Sequence, residues 1–204
     1  MEFLGPFFGT ELPLTMTQLL WVNIVMDTLA AFAFSGEAAL KRYMLEKPIP
    51  KGDPLITNDM WSAILIDGFY IAILSLFFLT SDFVSKLFVC DQMRCDDPNA
   101  NLVLLTAFFC FFVFINNFNK FNARTEGLNL FENITENKGF IIVVIIIFFL
   151  QTIFTYLGGE VLRTVGLTME EWIYILIFAA TIIPIDLARK FLRNIFTGNP
   201  VASN

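Results

Sequence analysis

The chain has 204 residues, with 13 Lys and Arg against 19 Asp and Glu, a net charge of −6; 56% of it is hydrophobic, 16% is charged, and 25 residues are Phe. A soluble domain carries roughly a quarter charged residues, so this composition excludes a globule with a polar skin, and it equally excludes a disordered chain. The acidic balance and the lack of any basic block argue against a nucleic-acid partner, because phosphate contacts need clustered Lys and Arg.

Five stretches avoid charge: residues 14–34, 61–80, 102–119, 139–157 and 172–188, which together contain only Asp27, Asp67 and Asp186. About 20 apolar residues at a 1.5 Å rise match a hydrocarbon layer roughly 30 Å thick. The runs are continuously apolar, as at 141–150, where barrel strands would alternate. The expected fold is therefore an all-α membrane protein, a single domain of five helices joined by short loops in a lipid bilayer.

The first helix opens just after Pro13, a tolerated place for proline, and carries the residue most in need of explanation, Asp27. A carboxylate inside a spanning helix costs at least about 2.5–3.5 kcal/mol and marks ion paths or proton relays. Asn23 lies four positions earlier, so both side chains project from one face, about 6 Å apart along the axis. With no Lys or Arg within the five runs, Asp27 is expected to be protonated, to meet a cation from outside, or to share hydrogen bonds with a neighbouring helix. Ala30, Ala31 and Ala33 allow close helix packing, and Thr17 and Gln18, nearer the helix start, suit interfacial hydrogen bonds.

The second helix holds Asp67 beside Gly68, a weaker candidate for facing the bundle interior. In the following loop Cys90 and Cys95 are close enough for a disulfide, with two free thiols as the alternative. Two cysteines and no histidine do not complete a zinc site. The third helix offers Asn116, Asn117 and Asn119, and the fourth Gln151, Thr152 and Thr155, mostly as interhelical hydrogen-bonding groups. Asn133-Ile134-Thr135 is a glycosylation pattern. Asp186 in the last helix precedes Arg189 and Lys190 by three and four positions and is expected to form an interfacial ion pair with them.

Ten of the 13 basic residues fall in segments 35–60 and 120–138 and in the C-terminal tail. The positive-inside bias then predicts a cytoplasmic C-terminus and, with five crossings, an N-terminus outside, leaving the sequon on the cytoplasmic side and bare. Residues 1–20 show neither a basic n-region nor a small-residue cleavage site, so that orientation points to a fragment of a longer protein. If a cation sits at Asp27, carboxylate and amide oxygens favour calcium or magnesium. Calcium takes six to eight oxygens; Asn23 and Asp27 give about three, Asn116 could add one, and the others must come from helices outside this chain.

The stretch Leu19-Leu20-Trp21-Val22-Asn23-Ile24-Val25-Met26-Asp27-Thr28-Leu29-Ala30-Ala31 resembles the sixth transmembrane helix of P-type calcium pumps, most closely the plasma-membrane type. Phe3-Leu4-Gly5, Lys47-Pro48 with Leu55-Ile56, Asn119-Lys120-Phe121-Asn122-Ala123-Arg124 and Gly158-Gly159 extend the likeness in order, covering nearly the whole chain as helices six to ten. The resemblance implies that Asn23 and Asp27 are calcium ligands, shared with groups in the N-terminal remainder of the pump. Met26 stands where the sarcoplasmic-reticulum type has a threonine ligand and Asn116 where it has an acid, which implies one calcium ion per cycle. ATP and magnesium would act only in the intact pump: the Asp-Lys-Thr-Gly phosphorylation motif and nucleotide-binding domain are not in these residues, so this chain alone is not expected to hydrolyse ATP. The implied location is a plasma membrane or the membrane of an intracellular calcium store. A free-standing five-helix subunit, or a channel or proton path using Asp27, is the alternative.

Overall fold

The structure, a computed structural model, describes residues 13–36, 56–90, 100–125, 127–131, 134 and 137–197. Five helices among these are long and apolar enough to cross a membrane: Met16–Ser35, Met60–Thr80, Asn101–Arg124, Lys138–Leu157 and Met169–Ile195. They are called here the first to fifth spanning helices. The Cys90–Cys95 pairing, the Asn133 sequon and the Phe3-Leu4-Gly5 segment lie outside the described residues or depend on residues that do.

Local chemistry fixes the helix starts. Thr15 and Gln18 form a reciprocal capping box at the first helix, Thr57 and Asn137 cap the second and fourth, and Thr168 with Glu171 forms a second capping box at the fifth. Each satisfies amide groups that would otherwise be orphaned. The helix ends differ from expectation. The third helix continues past 119 to Arg124, and the fifth, after a turn at Thr181, continues to Thr197. The helices thus carry Lys120, Arg124, Arg189, Lys190 and Arg193: Arg124 lies in a last turn, where it complements the negative end of the helix dipole, while Arg189 and Lys190 are paired with Asp186. The expectation that the helices hold no Lys or Arg is therefore wrong. A short helical segment, Asp82–Ser85 continuing as Lys86–Cys90, also follows the second helix unforeseen.

Four tertiary hydrogen bonds sort the helix ends into two layers. At one end the Asn137 amide donates to the Ala33 carbonyl (3.2 Å), Arg189 donates to Ser62 Oγ (3.2 Å), and Lys190 donates to the Asn122 carbonyl (2.8 Å). At the other, Gln18 Nε2 donates to the Leu162 carbonyl at 2.8 Å. Gln18 is thus an interhelical tie, as expected of a buried amide. The grouping is that of a chain crossing back and forth five times.

The third helix is the axis of the bundle: 61% of its apolar window is buried, against 17% to 33% for the other four. Its most extensive packing is against Met169–Ala180. Phe108, Phe109, Phe111 and Phe114 on it are wholly or almost wholly buried, joined by Phe78 and Phe88. Phe78 stacks on Phe111 with ring centroids 4.9 Å apart and meets Phe178 edge-on at 5.8 Å. Lipid tails are as apolar as these rings, so packing rather than expulsion from water holds the bundle together. Phe78→Ala is expected to cost roughly 2 kcal/mol or more through the cavity it leaves, read as a lowered thermal midpoint of the chain in detergent micelles.

The connector from the fourth to the fifth helix turns sharply. A Cβ on Gly158 would strike the Phe154 carbonyl and come within 2.7 Å of Thr164 Oγ1, and Gly159 has φ +44°. The Gly158-Gly159 pair is thus required by the turn itself. Tyr156 Oη closes it, donating to the Leu167 carbonyl (2.7 Å) and accepting from the Trp172 indole (3.1 Å).

Candidate functional site

The first spanning helix is not a regular α-helix. Met16–Leu20 and Asp27–Ser35 are α-helical, but Trp21–Met26 between them is a π-helix, in which the Asp27 amide donates to the Val22 carbonyl five residues back. Such widened turns are rare and concentrate at functional sites. Nothing in the apolar run announces it, because Trp, Val, Ile and Met suit either winding.

One side of this segment faces the bundle: Val22, Met26, Ala30 and Ala33 are buried. Asn23 and Asp27 are exposed on the other side, together with Leu20, Ile24 and Ala31. Among the described residues neither Asn23 nor Asp27 makes a hydrogen bond or ion pair. The expected face is therefore present, and an amide oxygen and a carboxylate stand on it without partners. The fourth helix braces the segment from behind. Gln151, fully buried, accepts from the Trp21 indole N–H at 3.1 Å and donates towards Cys110 Sγ at 3.5 Å, while Trp21 meets Phe154 edge-on at 4.5 Å. Of the hydroxyl and amide groups expected to join helices, Gln151 does so; Thr152 instead bonds back to its own helix, donating to the Phe148 carbonyl. Thr155 does both, donating to Gln151 O and lying 3.1 Å from Cys110 Sγ.

Asn116 is half-buried, and its amide donates to its own Phe112 carbonyl at 2.7 Å. No hydrogen bond joins it to Asn23 or Asp27. One turn on, Lys120 is close enough to Asp27 to interact electrostatically, although no ion pair closes between them. Its Nζ is buried without a hydrogen-bond partner among the described residues. Sequence reading missed this cation because it ended the third helix at residue 119, before the lysine. The described residues contain no group of three or more His, Cys, Asp or Glu side chains able to hold a metal, so Asn23 and Asp27 form at most part of a coordination shell.

A second polar centre lies between the second, third and fifth helices. Asp186, wholly buried, accepts from Arg189 Nε at 2.7 Å and sits 2.8 Å from Lys190 Nζ. The expected partners are correct, and the pair is buried within the protein: Lys190, only 2% exposed, turns inward onto the Asn122 carbonyl. Asp67 is also buried, beside the same cluster.

The family described as "Cation transporting ATPase, C-terminus" matches residues 11–192. The chain is 33% identical over 186 residues to calcium-transporting ATPase 8, plasma membrane-type, of Arabidopsis thaliana, covering 89% of this chain and 17% of that protein. It is 36% identical over 195 residues to the calcium-transporting ATPase PAT1 of Dictyostelium discoideum, covering 94% and 17%. With calcium-transporting ATPase 5, plasma membrane-type, of Oryza sativa subsp. japonica, identity is 36% over 165 residues, covering 80% and 15%. The chain thus spans about a sixth of the length of these relatives.

Proposed function

We propose, for a chain that belongs to the cation-transporting ATPase C-terminal family, that it is the C-terminal membrane part of a calcium pump and supplies Asn23 and Asp27 as oxygen ligands of the transported ion. The observation that carries this reading is an amide and a carboxylate, unpartnered among the described residues, exposed on one face of a membrane helix at its π-wound turn. Left against lipid, such a carboxylate costs at least about 2.5–3.5 kcal/mol; a divalent cation shared with other helices removes that cost. Calcium fits because hard oxygens bind hard cations, and because the relatives are calcium-transporting ATPases by name.

Two or three oxygens do not complete a calcium shell, so the N-terminal remainder of the pump furnishes the others, together with the ATP- and magnesium-dependent chemistry. In this reading the five helices sit in the lipid bilayer and the C-terminal end lies on the cytoplasmic side. Asn116 is the weaker third ligand, on the face of its helix that Lys120 shares one turn away. One calcium per cycle is the stoichiometry this ligand set implies. The chain's own part in transport is differential binding: it holds the ion in one state of the pump and loses it when neighbouring helices shift in the other. Gln151 and Phe154 keep the Trp21 end of the π segment fixed meanwhile.

In an intact pump carrying this segment, Asn23→Ala is expected to weaken apparent calcium affinity about tenfold, the worth of one charge-assisted contact, with the maximal phosphorylation level kept. Measured as the calcium dependence of phosphoenzyme formation from ATP, an unchanged midpoint would refute the ligand role of Asn23.

A further inference from the structure

The cluster around Asp186 opens into a cleft of about 270 Å³, lined by Asp67 and Gly68 of the second helix, Asn119 and Asn122 of the third, and Asp186 and Arg189 of the fifth. Asp67 is 7% exposed and Asn122 3%, yet Asp67 Oδ1 and Asn122 Oδ1 have no hydrogen-bond partner among the described residues. A polar atom buried without a partner costs free energy unless something fills the role. What is missing can be read from the neighbours. The Asn122 amide N–H groups are already spent on Asn119 Oδ1 and the Ile182 carbonyl, each at 3.2 Å. Arg189 is held by Asp186 and Ser62, and Lys190 by Asp186 and the Asn122 carbonyl. Both open atoms are therefore acceptors, one of them on a carboxylate whose neighbouring cations are engaged elsewhere.

We propose that this cleft binds one alkali-metal cation, K⁺ or Na⁺, held by Asp67 and Asn122 with water completing its shell. With Asp67 ionised, two acceptors cannot satisfy each other, and an anion would face the Asp67 carboxylate. A divalent ion is disfavoured because only one carboxylate is free to meet it while a guanidinium and an ammonium stand close by. A monovalent ion needs no more than one carboxylate, and neutral amide oxygens and water are hard ligands suited to it. The cleft is roomy enough, since a water occupies about 30 Å³. Gly68 lines it, and a Cβ there would stand in open space.

The test uses the 204-residue chain in lipid nanodiscs and ²³Na magnetic resonance. Bound sodium is expected to broaden the line in the parent chain, with KCl reversing the broadening and choline chloride at equal ionic strength leaving it. Asp67→Asn should abolish the effect and Asn122→Ala weaken binding about tenfold, while Asp27→Asn leaves it intact, separating this site from the proposed calcium ligands. Asn122→Ala retains the carboxylate and keeps the site testable should Asp67→Asn not fold. Absence of broadening in the parent, which would mean a cleft filled by water alone, overturns the proposal; so does displacement by choline, or broadening that survives both Asp67→Asn and Asn122→Ala.

Discussion

Asp27→Asn in an intact pump carrying this segment is expected to abolish phosphorylation from ATP at ordinary calcium concentrations. The substitution keeps the side chain's shape and removes its charge, so it isolates electrostatics from packing. Losing one partner of a desolvated charge pair costs about 3–5 kcal/mol, which corresponds to roughly two to four orders of magnitude in calcium affinity. The structure also predicts what does not change. Asp27 is exposed and makes no hydrogen bond or ion pair among the described residues, so the thermal midpoint of the 204-residue chain should stay within about 0.5 kcal/mol of the parent in free-energy terms. A lost midpoint would assign Asp27 to packing, and near-normal phosphorylation with a normal midpoint would remove it from the ion path. The expected result is the separation: function lost, fold kept.

That separation depends on features which the sequence shows unequally. The five crossings are legible because a membrane helix must exclude charge for about 20 residues, and Asp27 is legible as the exception. Where the helices stop is not legible from the same rule. The third helix carries Lys120 and Arg124, and the fifth carries Arg189, Lys190 and Arg193: the dipole favours a cation in a last turn, as at Arg124, and Asp186 neutralises Arg189 and Lys190. Reading charge as a boundary hid Lys120, and with it a basic group that interacts electrostatically with Asp27. The π-winding of Trp21–Met26 was hidden for another reason: it is a property of backbone hydrogen bonding to which apolar side chains are indifferent. Asn23 and Asp27 share a face as the spacing suggested, but the tie behind them, Trp21 to Gln151, joins residues 130 apart in sequence. No local pattern announces such a contact.

Asp186 provides the larger test of the scaffold. Its carboxylate is held by Arg189 and Lys190 in a place where none of the three side chains is more than 9% exposed. Asp186→Leu strands both cations in the bundle, and breaking one side of such a pair is expected to cost about 3–5 kcal/mol. Replacing both sides of the tighter contact, Asp186→Leu with Lys190→Met, should recover a large part of that loss. It removes the stranded ammonium, fills the same volume with apolar atoms and leaves Arg189 its contact with Ser62. Lys190→Met alone should cost less than Asp186→Leu, because Arg189 still neutralises Asp186, though the Asn122 carbonyl loses its donor. The order is read from unfolding midpoints in mixed micelles, with the single Asp186 variant the least stable of the three. If Asp186→Leu lies within about 1 kcal/mol of the parent, the cations have found water, and the cluster is a wet surface pair rather than a buried clamp between the third and fifth helices.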